Sequence, residues 1–413
     1  MNMRNRLSLP TRLPRSLWAR CCALFFLAAM LSSASGAEAR WRVLYEDGLD
    51  AFEARDLGKA LQDFQEAIAE RRTGFEKAVA SISAVSESAE AKHSKDSIHS
   101  FVETKAKAIL FAREISSIHA SAAGSLLAEA EALKARNPDR LQSNFLEALI
   151  SVLDATGEEA LHGSLKRLEE EAQLLKDFPE AEYGLGKVFL AEGELRLAAA
   201  QFERALSMAA SLEIPESRSE FLDSLASVQK SLGDLIAYEA TLRQELVDLS
   251  PFGEKEAFLR QAMERSLVNE GFDTFARLYR IDEVRVSKPA AELGEYLLRR
   301  GRSQAVIHLA ISANAVITRA LTEIRRKEPS YQYRDLHDLG SALLRQSGLE
   351  EWTEKSGLWK CLYYLAEALA AQPVAQASKE LFVELSSMEI AGAWAAASRQ
   401  ALLRKDGKLA IFP

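Results

Sequence analysis

Proline and glycine alternate along most of this chain at a nearly constant interval. The internal prolines lie 36 to 44 residues apart, at Pro138, Pro179, Pro215, Pro251, Pro289, Pro329 and Pro373. One glycine stands near the middle of each interval, at Gly157, Gly193, Gly233, Gly271, Gly301 and Gly348. Proline suits a helix start and breaks a helix interior, whereas glycine suits the left-handed position beyond a helix end. The alternation therefore predicts six successive helical hairpins.

The composition favours a nearly all-helical protein with a large core. Hydrophobic residues make up 48% of the 413 positions, and only 10 are proline and 20 glycine. Helix-forming Ala, Leu, Glu, Lys and Arg dominate, and runs in which Val, Ile or Thr alternate with polar residues are absent.

Two segments share one spacing of small and aromatic residues. Gly48 is followed by Ala51, Ala60, Phe64 and Ala67, and Gly186 is followed at the same offsets by Phe189, Ala198, Phe202 and Ala205. The pattern resembles the tetratricopeptide repeat (TPR), a helical hairpin whose small residues let two helices approach each other. A looser copy begins at Gly294. Residues 53–60 and 190–198 are predicted to form the turns inside the first two hairpins.

The resemblance implies an all-α fold, a right-handed α-solenoid of antiparallel TPR-like hairpins. We predict an N-terminal TPR at 41–74 and an array of TPR-like hairpins at 138–405, followed by a C-terminal tail at 406–413. Residues 75–137 contain no proline and only Gly124, so we predict an elongated helical hairpin there, with a loop at 86–95.

The segment Gly184-Leu185-Gly186-Lys187 superficially matches a phosphate-binding loop. A dinucleotide fingerprint needs a third glycine where Phe189 stands, and a P-loop needs Ser or Thr where Val188 stands. Both also need a β-strand before the loop, and the preceding residues have helical periodicity. We interpret these glycines as packing positions.

The N-terminus has the order of a secretory signal. Five arginines in residues 1–20 precede the apolar segment 21–31, and small residues follow it. We predict a signal peptide at 1–37, with cleavage after Ala37 or, alternatively, after Ala39. The apolar segment is too short for a permanent membrane span, so we expect a periplasmic protein with no stable span after cleavage.

Cleavage changes the charge and the cysteine count. It leaves 52 − 5 = 47 basic residues against 60 acidic ones, a net charge of −13, which disfavours a nucleic-acid partner. Only Cys361 remains, and its apolar neighbours favour a buried structural thiol.

No set of residues matches known catalytic or metal-binding chemistry. His93, Asp96 and His99 lack the spacing of a helical zinc site, and His337 is expected in a surface turn. We therefore predict no enzyme activity, no cofactor and no metal. The aromatic cluster between residues 331 and 364 is interpreted as the core of a capping unit, with a peptide, anion or glycan site as the alternative.

In TPR proteins the first helix of each hairpin lines a concave groove. Carried over to the two best repeats, this face contains Tyr45 and Leu49, then Tyr183 and Lys187. We predict these four as binding residues for a protein or peptide partner in the cell envelope. The leading hypothesis is an exported interaction scaffold of the bacterial envelope. The alternative is a TPR-type ligand-binding accessory protein of a transport system.

Overall fold

Every regular element in the described part of the chain is helical, as predicted. The computed structural model describes residues 40–91, 131, 134–135, 140–249, 257–372 and 376–404. They divide into two compact units, with the first ending at Val188 and the second containing Arg140, Leu141 and everything from Phe189 onward. The predicted signal peptide and its cleavage sites, His93, Asp96, His99 and the tail at 406–413 lie outside the described residues.

The helices up to the boundary at residue 188 are named α1 to α5. They are α1 (Arg40–Glu53), α2 (Leu57–Ala91), α3 (Arg140–Asp154), α4 (Glu158–Lys176) and α5 (Pro179–Ala191), whose last residues extend beyond the boundary.

The helices that follow are named α6 to α17. They are α6 (Leu195–Ser207), α7 (Arg218–Leu232), α8 (Leu235–Leu249), α9 (Ala257–Glu270), α10 (Phe272–Leu278), α11 (Ser287–Arg299), α12 (Ala305–Lys327), α13 (Leu336–Leu344), α14 (Leu349–Lys355), α15 (Leu358–Ala370), α16 (Gln376–Ser387) and α17 (Ala393–Leu403).

The described prolines and glycines lie where the alternation predicts. Pro179 begins α5, Pro215 begins a short 3-10 turn before α7, Pro289 is in the first turn of α11, and Pro329 lies between α12 and α13. The predicted glycines all lie between two helices; five have positive φ, and Gly157 is extended. Pro138, Pro251 and Pro373 are outside the described residues.

Phe64 forms the centre of the first unit. Its side chain is 1% exposed and contacts glycines on two other helices. A Cβ added at Gly48 would lie 2.9 Å from the Phe64 ring, and one added at Gly184 would lie 2.8 Å from it. Glycine is therefore required at both sites for close helix packing, as the sequence predicts. The Gly-Leu-Gly-Lys segment lies inside α5, so the structure excludes a phosphate loop there.

A buried arginine joins α2 to the end of α4. Arg71 donates a hydrogen bond from Nε to the carbonyl of Leu175 at 2.8 Å, so it satisfies a carbonyl in the last turn of α4. Its guanidinium lies 4.6 Å from the ring centroid of Trp41 and 4.5 Å from that of Phe178. These contacts fix the short link between α4 and α5.

One predicted boundary is not a structural break. Helix α2 passes residue 74 without interruption and is described as far as Ala91. It therefore joins the second helix of the predicted TPR to the first helix of the predicted elongated hairpin. It also extends into the predicted loop at 86–95. No proline occurs in this stretch, and Gly74 alone does not end a helix. The rest of 75–137, apart from three residues, lies outside the description.

The second unit surrounds α12. Helices α9, α10, α11, α13, α14 and α15 all pack against it, and most of its residues are buried. Within the described residues, α12 is the one helix long and apolar enough to cross a membrane, and 78% of its apolar window is buried inside the protein. It is therefore the core helix of this unit.

The second unit departs from a simple row of hairpins. Helix α8 packs against α11, and α9 packs against α12 and α16. In a regular solenoid each repeat contacts only its neighbours in sequence. The longer α12 and the short α10 and α14 make the difference, because hairpins of unequal length cannot stack as equivalent units.

The C-terminal aromatics fill the core, as the capping interpretation predicts. Trp359, Tyr363 and Tyr364 are each at most 2% exposed, and Tyr363 lies 5.4 Å from Trp394 by ring centroids. Cys361 is buried as predicted; burial raises the pKa of its thiol to about 11, so the thiol stays protonated and unreactive at neutral pH.

Candidate functional site

The four predicted binding residues differ in exposure. Tyr45, Leu49 and Lys187 are half-buried, but Tyr183 is only 8% exposed. The expectation that Tyr183 is an exposed anchor is therefore wrong. The reason is that α5 is buried on almost all sides, with buried residues at Pro179, Ala181, Glu182, Tyr183, Gly184, Leu185, Gly186 and Val188.

The structure links part of this set through Phe52, a residue that the sequence analysis missed. The Lys187 ammonium lies 5.2 Å from the ring centroid of Phe52 and 5.6 Å from that of Tyr183. Tyr45 instead packs against Phe64 and Phe178, with centroids 5.9 Å and 4.9 Å away. The signal for Phe52 was its position one turn after Leu49 on the same helix face.

The register of the predicted face continues on α11. Leu49 and Lys187 each follow the repeat glycine by one residue, and Glu295 follows Gly294 in the same way. Gly294 packs closely against α12, since an added Cβ would lie 2.6 Å from Cγ of Leu309. This contact turns Glu295 away from α12 and into a cavity of about 220 Å³.

We name this space the tyrosine cavity. It lies between the end of α7, the start of α8 and the second half of α11. Its lining residues are Lys230, Leu235, Tyr238, Glu292, Glu295, Tyr296, Arg299 and Arg300.

Hydrogen bonds fix both tyrosine rings of the cavity. The rings of Tyr238 and Tyr296 stand edge to face at 5.8 Å. The hydroxyl of Tyr238 donates to Glu292 at 2.7 Å, and that of Tyr296 donates to the carbonyl of Leu235 at 3.1 Å. Burial and the Glu292 carboxylate both raise the pKa of Tyr238, so its hydroxyl remains a donor.

The acidic groups of the cavity are satisfied inside the protein. Glu295 accepts from Arg299 at 2.9 Å and from Lys360 at 2.8 Å. Burial acts to raise the pKa of Glu295, but the bonds from Lys360 and Arg299 outweigh it and the pKa is lowered. Glu295 is therefore ionised and already paired.

Two cations of the cavity remain without such a partner. Lys230 lies 5.6 Å from the centroid of Tyr238, and Arg300 lies 4.5 Å from that of Tyr296. Both are exposed, and among the described residues neither has a salt bridge or a side-chain hydrogen bond. Cation–π contact holds each charge beside the opening and leaves its N–H groups available to a ligand.

The rim next to the cavity is apolar. Leu232 and Leu235 are 39% and 38% exposed, and Ile236 is 82% exposed. The cavity itself is smaller than the 300 Å³ or so at which small-molecule pockets begin. Its size and rim suit one or two side chains of a polypeptide that continues over the surface.

A second cavity of about 380 Å³ lies between α16 and the junction of α9 and α10. Its lining residues are Glu270, Gly271, Phe272, Asp273, Gln376, Ala377, Lys379, Glu380, Leu381, Val383 and Glu384. Its lining could not be predicted from the sequence, because its two sides are far apart in the chain and share no motif.

Two carboxyl groups of this second cavity share a proton. Asp273 accepts the hydroxyl of Tyr333 and also bonds to Glu384. Burial and the neighbouring Asp273 raise the pKa of Glu384 to about 8, so Glu384 carries the shared proton at neutral pH. The shared proton lets the pair link α10 to α16 without the full repulsion of two carboxylates.

The remaining titratable candidates behave as local structure. Asp335 caps α13 by accepting from the backbone N–H of Asp338 at 2.7 Å. His337 is exposed, but it lies in the first turn of α13 and not in the predicted surface turn. In the described ranges, no group of three or more His, Cys, Asp or Glu side chains is placed to hold a metal ion.

Comparison with known proteins finds an uncharacterized relative of this chain. No protein-family model matches the chain. An uncharacterized protein of Treponema pallidum (strain Nichols) is 28% identical over 221 residues, which cover 52% of this chain and 59% of the relative. The chain thus matches about three fifths of the length of that relative.

Proposed function

We propose that this protein is an exported, TPR-like scaffold of the bacterial cell envelope that binds a protein or peptide partner and does not turn it over. One observation carries the proposal. The predicted binding residues Leu49 on α1 and Lys187 on α5 each directly follow a repeat glycine. The residue at the same position on α11, Glu295, lines the preformed tyrosine cavity.

The character of the tyrosine cavity supports a polypeptide ligand. Fixed tyrosine rings offer a large contact area at a small entropic cost, and Tyr and Arg are enriched at binding hot spots. Exposed Leu235 and Ile236 extend the contact beyond the cavity. The order of the hairpins and the close contact of Gly294 support a TPR-like arrangement. A right-handed solenoid of these hairpins is part of the proposal.

Export is supported by the basic, apolar and small segments at residues 1–39. In a periplasm, a scaffold without resident chemistry acts by bringing partners together.

Crosslinking in intact cells followed by affinity capture tests the proposal. We would compare the wild type with Leu235→Asp, which places a charge at the mouth of the tyrosine cavity. The matched control is Leu403→Asp, because Leu403 is 80% exposed on α17 and lines neither cavity. We expect a specific partner to be lost from Leu235→Asp and retained by Leu403→Asp. Equal capture by all three proteins would refute binding at this cavity.

The alternative, a ligand-binding accessory protein, is favoured by the second cavity. Its volume of about 380 Å³ lies within the range of small-molecule sites. Native mass spectrometry of protein purified from its own cells tests this function. A bound small molecule that Ala377→Trp removes would support it, and a spectrum of the bare chain would contradict it.

A further inference from the structure

The charges around the tyrosine cavity do not balance. Its lining contains three cations, Lys230, Arg299 and Arg300, and two carboxylates, Glu292 and Glu295. The nearby carboxylate of Glu239, which bonds to Tyr296, is paired with Arg243 and Arg302. Arg299 and Lys360 are both bound to Glu295, while Glu292 is occupied by the Tyr238 hydroxyl. The excess positive charge therefore belongs to Lys230 and Arg300, on a chain whose total charge is −8.

These two cations are prepared for an anion. Each lies against a ring that is itself fixed by a hydrogen bond, so little side-chain freedom is lost when a ligand arrives. A carboxylate entering between them gains charge-assisted hydrogen bonds without having to break an existing salt bridge.

The surroundings favour a carboxylate on a polypeptide over a free anion. Leu232, Leu235 and Ile236 offer exposed apolar contacts beside the cavity, which an inorganic anion cannot use. The space of about 220 Å³ accepts an acidic side chain together with part of a neighbouring residue.

We propose that the tyrosine cavity recognises an acidic segment of a partner polypeptide, with an aspartate or glutamate carboxylate held by Lys230 and Arg300 and an adjacent apolar residue held by Leu235 and Ile236. This inference rests on the proposed function and names the chemistry of the partner.

Selection of random peptides displayed on phage against the full chain tests it. Displayed peptides have no free C-terminus, so an acidic preference reports side-chain carboxylates. We expect the selected peptides to combine Asp or Glu with an apolar neighbour. A synthetic, C-terminally amidated form, measured by fluorescence anisotropy, should bind about tenfold more weakly to Lys230→Gln/Arg300→Gln.

A matched control removes the same charge elsewhere. Lys166→Gln/Arg196→Gln changes two exposed cations on α4 and α6 and should bind the peptide as the wild type does. Both variants change only exposed side chains, and unchanged circular dichroism verifies their fold.

The outcomes separate the inference from the function on which it rests. Selected peptides that are neutral or basic would overturn the acidic inference and leave a peptide-binding scaffold. Failure to enrich any peptide above empty resin would overturn both. The test also covers a free anion. If millimolar inorganic phosphate displaces the peptide, and if its own binding is weakened to the same extent by Lys230→Gln/Arg300→Gln, the site binds a free anion instead.

Discussion

The close packing of Phe64 leads to a quantitative prediction about Gly184→Ala. The new Cβ would lie 2.8 Å from Cζ of Phe64 and 2.9 Å from both Cε atoms, in a ring that is 1% exposed and cannot swing into solvent. Overpacking of this kind costs about 1 to 3 kcal/mol. The higher helix propensity of alanine returns about 0.5 to 1 kcal/mol. We therefore expect a net loss of up to about 2.5 kcal/mol in the free energy of unfolding.

A control in the same unit isolates the contact with Phe64. Gly163 lies inside α4, and an added Cβ there would meet nothing within 4 Å. Gly163→Ala should therefore stabilise the protein by about 0.5 to 1 kcal/mol. In a Phe64→Leu background, which shortens the side chain, the cost of Gly184→Ala should fall by half or more.

Urea unfolding followed by circular dichroism provides the free energies. Hydrogen exchange of peptides from α1, α2 and α5 shows whether the loss is local to this core. A Gly184→Ala protein as stable as Gly163→Ala would refute the packing argument. Equal costs of Gly184→Ala with and without Phe64→Leu would refute the role assigned to Phe64.

Three further predictions concern burial, pH and export. Tyr183→Ala should lower the free energy of unfolding by about 3 kcal/mol, as truncation of a buried aromatic does; unchanged urea unfolding would show that the side chain is not core. Glu245 and Glu384 have pKa values of about 8 in the folded chain, against 4.5 when unfolded. Between these values the folded chain keeps protons that the unfolded chain loses. The free energy of unfolding should therefore fall as pH rises from 4.5 to about 8. Replacing either by Gln should flatten this decline in urea midpoints measured across that range, and an unchanged slope in both variants would contradict the assignment. Mass spectrometry of the native protein should find an N-terminus at Glu38 or Arg40, and an intact N-terminus on cytoplasmic protein would contradict export.

The helical hairpins could be predicted because their signals are local. Proline at a helix start and glycine with positive φ at a turn act through their own backbone. The turns predicted at Gly193, Gly233 and Gly301 are therefore present in the structure. The same reasoning failed for α2, since a helix without proline gives no local sign of its end. The close contact of Gly48 with Phe64 was also predictable, because the same offset separates Gly186 from Phe202. The contact of Gly184 with Phe64 joins distant parts of the chain and follows from no such offset.

The exposure of the candidate site residues could not be predicted in the same way. Whether Tyr183 faces solvent depends on what packs around α5, and those residues come from other parts of the chain. The tyrosine cavity combines α7, α8 and α11, and its paired and unpaired charges follow from contacts such as that of Lys360 with Glu295. The Asp273 and Glu384 pair is likewise a product of tertiary packing, because each residue alone looks like an ordinary surface acid.

Hydrogen exchange of the protein with its captured partner, or with the selected peptide, tests the binding site most directly. The proposed site predicts new protection at the end of α7, the start of α8 and the second half of α11, and this protection should be absent in Leu235→Asp. Protection confined to other helices, or equal protection in Leu235→Asp, would contradict binding at the tyrosine cavity.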